Sequence, residues 1–456
     1  MSSVVTASSK HPAYAFGITW LGQVISQLGS GLTTFALGVE VYRSSSTVTP
    51  YALLCLFYVL PPVLLSPLGG ILADRWDRRR VMLLSDALAA VSPVWMLLLL
   101  WGQKDGQLAV APWQFYAPIA LASACDAFRW PAYQAATTLL VPKEQLGRAS
   151  GLLDLGYGVA QIASPILAAT LLLRIGLRWV ILLDFASFAF AALTLLLVHF
   201  PQPPSSDVSR NAKGSFQREL GLGWEFVRTR RGLFGLLLFT TTVGLIMSLV
   251  LVLITPLTLS FTNVATVGEV QSIAGLGMLA GSILMTVWGG PRRRIAGVFG
   301  FTLLSGGVLL LAGLPPSVPL VAGASAIFLG SYPFVNGCAQ AIWQTKVPMD
   351  VQGRVFAVRR ILTGLSASAA MVLAGPLADK LFEPWLAPGG ALATTVGRLI
   401  GTGPGRGIGF LFIVLGALSA GSVLCAYLSR SIRNIETELP DAIAPSSAHA
   451  QSTPRS

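Results

Sequence analysis

Gly69-Gly70-Ile71-Leu72-Ala73-Asp74-Arg75-Trp76-Asp77-Arg78-Arg79-Arg80 joins two long apolar runs, roughly residues 48–73 and 81–101. Each run is long enough to cross a bilayer, which takes about 20 apolar residues. The stretch is therefore a short turn at a membrane surface, carrying four arginines and two aspartates. Short cytoplasmic loops collect Lys and Arg, so the turn is expected on the cytoplasmic side. Asp74 follows directly on an incoming helix, whose last turn is the negative end of the macrodipole. A carboxylate kept there calls for a positive partner, either one of the arginines or the N-terminus of another helix. The glycines before it let neighbouring helices approach closely.

Gly70-x-Leu72-Ala73-Asp74-Arg75-x-x-Arg78-Arg79 resembles the signature between helices 2 and 3 of the major facilitator superfamily of secondary transporters. The usual pattern has Gly where this chain has Asp77, and Asp tolerates a left-handed turn better than most residues.

Composition agrees with a membrane class. Of 456 residues, 54% are hydrophobic and only 11% charged, with a mean hydropathy of +0.69. That combination excludes an ordinary soluble enzyme. The net charge of +12 sits in short loops between apolar runs, where positive-inside bias and an anionic inner leaflet explain it without a nucleic-acid partner. Cys55, Cys125, Cys338 and Cys425 each lie inside an apolar run with no CxxC spacing, and the three histidines are scattered. No disulfide, metal or cofactor is expected.

Apolar runs and their breakers define twelve candidate helices, six in residues 15–199 and six in residues 232–430. Between them, residues 200–231 form a cytoplasmic linker whose second part, from 216, reads as a basic helix on the membrane surface. Residues 1–14 and 431–456 are expected as cytoplasmic tails, the latter disordered. The glycine-rich stretch 383–406 reads as a flexible outer loop. With both termini inside, the outer segments hold seven basic residues (Arg43, Lys104, Arg174, Arg178, Lys380, Arg398, Arg406) and Arg129 lies within the membrane, leaving 23 of the 31 on the cytoplasmic side.

The two halves repeat. Leu140-Val141-Pro142-Lys143-Glu144-Gln145-Leu146-Gly147-Arg148 recurs as Lys346-Val347-Pro348-Met349-Asp350-Val351-Gln352-Gly353-Arg354, and Gln134 pairs with Gln340 at the same offset. Gly289-Gly290-Pro291-Arg292-Arg293-Arg294 is a shortened copy of the opening turn without its aspartate. The fold class is thus an all-α polytopic membrane protein, with two six-helix halves related by an axis along the membrane normal. The resemblance implies that Asp74, Arg75, Arg78, Arg79, Glu144, Arg148, Asp350 and Arg354 form a cytoplasmic gate of ion pairs, made and broken between two states. Arg359 and Arg360 are placed with that group. The alternative is a set of surface pairs worth about 0–1 kcal/mol each.

Ionisable residues inside spans are functional candidates by default. Asp126 and Arg129 lie at i and i+3 on one face near the middle of helix 4, a pairing suited either to substrate and proton binding or to static neutralisation. Glu40 is a further proton-site candidate. Asp86, Asp154 and Asp184 lie one or two turns inside a membrane face, where snorkelling or gate pairing accounts for them. The superfamily resemblance implies a cavity lined by helices 1, 4, 5 and 10. It names Trp20, Gln23, Gln27, Tyr133, Gln134, Gln161, Tyr332, Asn336, Gln340 and Gln344 as candidates, together with Trp130 and Phe334. Aromatic surfaces with a few amides suit a bulky amphipathic substrate.

Gly156-Tyr157-Gly158 followed by Ser164-Pro165-Ile166-Leu167-Ala168-Ala169 resembles the small-Pro-small signature of drug/proton antiporters, with small residues in place of some glycines. Trp20-Leu21-Gly22-Gln23, Ser26, Gly29-Ser30-Gly31 and Phe128-x-x-Pro131-Ala132 are similar to bacterial macrolide and siderophore exporters. These resemblances imply a proton-coupled exporter of small amphipathic molecules, not an enzyme, working as a monomer among the lipids of a bacterial inner membrane. A nutrient uptake symporter is the alternative transporter, and a membrane sensor or scramblase the alternative outside transport. Retention of both gate copies favours alternating access.

Overall fold

A computed structural model describes residues 12–101, 111–141, 145–198 and 216–440. Within them the chain is helical. Helices α1 (Pro12–Ser45), α2 (Val48–Arg75), α3 (Arg78–Ala89), α4 (Val91–Leu99), α5 (Tyr116–Leu140) and α6 (Leu146–Leu197) build the first half. After α7 (Phe216–Arg228), the second half is α8 (Arg231–Leu259), α9 (Val264–Trp288), α10 (Arg294–Ala312), α11 (Val318–Lys346), α12 (Met349–Pro376), the short α13 (Glu383–Leu386) and α14 (Gly397–Ile400), and α15 (Arg406–Leu428).

Among the described residues, ten helices are long and apolar enough to cross a membrane. One of them is two crossings, because Gly176 takes φ 80° in the middle of α6, a left-handed conformation that reverses the chain at little cost only for glycine. The other crossing, α5, carries the intramembrane charges Asp126 and Arg129. Counted so, the described residues form twelve spans, six in each half. Helices α3 and α4 are one span broken at Ala90. Pro93 has no N–H to donate to the carbonyl of Ala89 and crowds it, which interrupts the ladder there.

Each half has its own apolar cores, with Phe16, Met82, Tyr133 and Leu195 in the first and Leu236, Val298, Trp343 and Val355 in the second. A further core joins them: Val48 and Ala52 of α2 pack with Leu253, Ala374 and Phe382 of the second half. Gly375 permits this approach, since a Cβ there would stand 2.6 Å from the Cα of Thr49. Hydrogen bonds also cross between the halves, from α2 to α8 and from α9 to α6. Tyr51 donates to Thr255 Oγ1 at 3.2 Å, and Ser272 donates to the Ile162 carbonyl at 2.7 Å. Strongest is Asp379, in a π-helical run after α12. Its carboxylate accepts the Val48 and Thr49 N–H groups, both at 2.8 Å, and the Thr49 hydroxyl at 2.6 Å. An anion thus caps the free N–H groups at the start of α2, where the helix dipole favours it. These contacts hold the halves together at the end remote from the arginine turn.

Several local expectations change. Asp77 is not left-handed: it has φ −58° and ψ 115° and is the N-cap of α3, accepting the N–H groups of Arg79 at 2.9 Å and Arg80 at 3.3 Å. Aspartate suits the position because its side chain satisfies orphan helix donors, which glycine cannot do. In the second half the matching helix, α10, has no local acid. Glu436, from the C-terminal segment, accepts from Arg294 N–H at 2.9 Å and Ile295 N–H at 3.3 Å instead. The expectation of a disordered tail from 431 therefore does not hold as far as residue 440. Ile435 is fully buried, and Lys346 donates to the Glu436 and Leu439 carbonyls at 2.6 Å. The stretch 383–406 is packed as well. Leu386 and Ile400 are buried, Glu383 accepts the Ile408 N–H at 3.1 Å, and Arg406 donates to the Ile400 carbonyl at 3.0 Å. Helix α7 buries Val227 completely and sets Trp224 edge-on to Phe234, as a surface helix with one apolar face does.

Candidate functional site

Two features stand inside the membrane region: a buried network of charges in the first half, and a large cavity between the halves.

The network is centred on Arg129. Its Nη2 lies 2.5 Å from Asp126 Oδ1, one turn back on α5. Its Nη1 lies 3.3 Å from Asp86 Oδ1 on α3 and 3.3 Å from Ser26 Oγ on α1. The second oxygen of Asp86 accepts from Gln23 Nε2 at 3.1 Å. The Asp86 side chain is fully buried, Arg129 is 10% exposed and Asp126 38%. Two carboxylates thus share one guanidinium, and the network carries one negative charge unless it binds a proton. In a medium where uncompensated charge is expensive, that imbalance is the notable chemistry of the site. The isolated Asp126–Arg129 pair of the sequence reading is half of it. Asp86 neither snorkels nor pairs at a gate, because α1 and α5 close over it and supply its partners.

Asp184 is likewise buried rather than snorkelling. It lies against α1, accepting from Ser30 Oγ at 3.3 Å. Glu40 pairs with Arg43 at 3.2 Å in a partly exposed position near the end of α1.

The cavity has a volume of about 1320 Å³ and is lined by α1, α2, α6, α8, α9, α10, α11, α12 and α15. Among the candidates it brings together Gln161, Tyr332 and Asn336. Gln161 donates to the Tyr157 hydroxyl at 3.1 Å, and Tyr157 is 6.4 Å from the Trp130 ring. The other candidates stand elsewhere. Trp20 donates to the Leu152 carbonyl at 2.7 Å, tying α1 to α6. Gln23 is bound to Asp86, as described. Gln27 Oε1 and the Tyr133 hydroxyl are buried without a hydrogen-bond partner. Gln134 and Gln344 are exposed, and Gln340 accepts from Arg359 at 2.7 Å. The expected lining by helix 4 is not seen among the described residues. Helices α2, α8 and α9 contribute Tyr58, Met247 and Gln271, which the sequence reading missed, and α12 contributes Arg359, which it had assigned to the gate. Asp154 also lines the cavity and is exposed.

Of the expected gate, Arg79 donates Nε to the Leu195 carbonyl at 2.9 Å and Nη2 to the Leu196 carbonyl at 2.8 Å. It caps the C-terminal end of α6 within its own half. Arg78 Nε and Nη1 are buried without hydrogen-bond partners. Arg148 is exposed on the first turn of α6, and Arg354 lies on α12 beneath α7. The side chains of Asp74, Arg75 and Asp350, and Glu144 altogether, lie outside the described residues. Arg359 is not part of a surface gate: it stands about 15 Å along α12 and faces the cavity.

Two six-helix halves enclosing one cavity define a secondary-transporter fold. The Major Facilitator Superfamily model matches residues 19–371, and the chain belongs to that family. It is 26% identical over 370 residues to macrolide efflux protein A of Streptococcus pyogenes, covering 80% of this chain and 90% of the relative. It is 29% identical over 316 residues to macrolide efflux protein A of Enterococcus faecalis, covering 68% and 94%. The multidrug efflux pump Tap of Mycolicibacterium fortuitum is 26% identical over 364 residues, covering 77% and 86%. Among solved structures, a bacterial homologue of the human lysosomal transporter Spinster, in an inward-facing, unoccupied conformation, superposes with a TM-score of 0.68 at 15% identity, over 95% of this chain and 99% of that one. A point mutant of the nucleoside transporter NupG does so at 0.70 and 12%, over 90% and 99%. The family and fold of this chain are those of membrane transporters.

Proposed function

We propose that this transporter exports small amphipathic molecules, in the chemical range of macrolides, siderophores and other secondary metabolites, in exchange for protons. The observation that carries the reading is the Asp86–Arg129–Asp126 network, two carboxylates for one guanidinium beside a substrate-sized cavity. With both acids ionised the network is one charge short of neutral, and a single proton corrects it. Asp86 is fully buried and bonded to Gln23 and Arg129, out of reach of solvent. Asp126, partly exposed and holding one edge of Arg129, is suited to exchanging the proton.

We read the arginine-rich end as cytoplasmic, with both termini inside, and the membrane as a bacterial inner membrane. The halves then meet at the outer end and the cavity faces inward. Substrate enters from the cytoplasm, the halves rock to open the outer end, and a proton from outside neutralises Asp126 and favours return. The efflux names of the relatives support export over uptake. An inverted-vesicle assay tests the reading: a pH gradient, acid inside, should drive substrate into the vesicles. Substrate movement indifferent to that gradient would remove the proton from the mechanism.

A further inference from the structure

Arg359 differs from every other charge near the cavity in how it is held. Its Nη1 donates to Gln340 Oε1 at 2.7 Å. Its guanidinium carbon stands 5.1 Å from the Trp343 ring centroid and 5.8 Å from that of Phe356. Trp343 is completely buried, so the surface against which the guanidinium lies is fixed. An amide and an aromatic wall thus set the plane of the group. Unlike Arg129, Arg359 has no carboxylate within ion-pair distance among the described residues. Gln340 uses one nitrogen only. The Nε–Nη2 edge therefore has no protein acceptor among them, and the side chain lines the cavity.

A guanidinium held rigid on a cavity wall, with two parallel donors unused, is a preorganised receptor for an anion. A two-donor edge matches the two oxygens of a carboxylate, whereas a phosphate would leave oxygens unpaired against apolar surface. That surface is close by. Phe328, Leu329, Met247 and Met278 also line the cavity and suit an apolar or aromatic body. The described lining carries Arg359 and Arg360 against the single acid Asp154, so its balance is positive. Asp154 belongs to the opposite half.

We propose that Arg359 binds a carboxylate group of the transported molecule, so that within the proposed range of cargo an amphipathic carboxylate is preferred over a cationic amphipath such as a macrolide. This rests on the exporter reading and adds the charge of its substrate. The matching oxygen pair displaces water from the free edge while Gln340 and Trp343 hold the other side of the group.

The test uses the purified full-length protein and three fluorescent probes: N-dansyl-leucine, its methyl ester, and the cationic amphipath rhodamine 6G. Equilibrium binding should favour the acid over its ester by about tenfold or more, the scale of a charge-assisted hydrogen-bond pair. Arg359→Gln should bring acid and ester to equal affinity while leaving ester binding intact, which also shows that the variant is folded. Arg359→Lys should fall between, because a point charge keeps attraction and loses the fork. Equal binding of acid and ester by the wild-type protein would overturn the proposal. So would Arg359→Gln that keeps the preference but slows transport of all three probes alike, the behaviour of a gate partner for Asp154. Transport of the ester and rhodamine 6G without that of the acid would leave the exporter reading standing and this inference refuted. Selective acid binding with no transport of any probe would do the reverse.

Discussion

Replacing Arg129 with Gln should damage this protein more than replacing either acid it serves. The network holds two carboxylates and one guanidinium, with Asp86 fully buried. Removing one partner of a buried pair costs about 3–5 kcal/mol, and here one removal strands two acids. Asp126→Asn leaves the Asp86–Arg129 pair whole and its charges balanced. Since Asp126 is 38% exposed, its loss should cost only about 0–1 kcal/mol. Asp86→Asn leaves Arg129 paired with Asp126 but weakens two charge-assisted bonds, from Gln23 and Arg129, for roughly 2 kcal/mol. The predicted order of damage is therefore Arg129→Gln, then Asp86→Asn, then Asp126→Asn. Thermal unfolding in detergent, followed by a thiol-reactive fluorophore with the accessible Cys55 and Cys425 replaced by Ser, reads this directly, because Cys125 and Cys338 are buried until the fold opens. Acid should restore part of the Arg129→Gln loss, since protonating the stranded carboxylates removes the uncompensated charge. An Arg129→Gln protein that unfolds with the wild type, or an Asp126→Asn protein that unfolds first, would refute the shared-guanidinium account.

Other contacts make further predictions. Asp379→Asn weakens the three hydrogen bonds that hold α2 at the closed end, and loss of about 1–2 kcal/mol there should raise the outer-open population several-fold. Labelling of the cavity's native Cys55 by an impermeant maleimide added outside should then quicken; an unchanged rate would show that Asp379 is only a cap. Asp77→Ala should cost about 1 kcal/mol by uncapping α3, read as a lower unfolding midpoint. Glu436→Gln should cost about 0.3–1 kcal/mol at the start of α10, and a midpoint equal to the wild type's at low salt would deny the tail its capping role.

The fold is legible in the sequence because bilayer thickness turns hydrophobicity into length. Runs of about 20 apolar residues, an arginine-rich turn and its worn copy at 289–294 are enough for two six-helix halves. What the sequence hides is rotation about each helix. In an almost wholly apolar helix, period 3.6 does not separate a lipid face from a cavity face, so Tyr58, Met247 and Gln271 escape notice while Gln134 is over-read. Depth alone misjudges Asp86, because its partner Arg129 stands 43 residues away in sequence. Asp379 is invisible for a different reason. It binds backbone N–H groups 330 and 331 residues away, and backbone donors leave no mark in a sequence. Glu436 restores the acid that the second arginine turn lacks, but only folding brings it there.

Proton-driven accumulation in inverted vesicles measures the central claim most directly. The wild-type protein, given an acid-inside gradient, should concentrate an amphipathic probe, and nigericin should abolish the accumulation by collapsing the gradient. Asp126→Asn should still exchange probe across the membrane at equilibrium yet fail to concentrate it. Full gradient-driven accumulation by that variant would contradict Asp126 as the group that carries the proton.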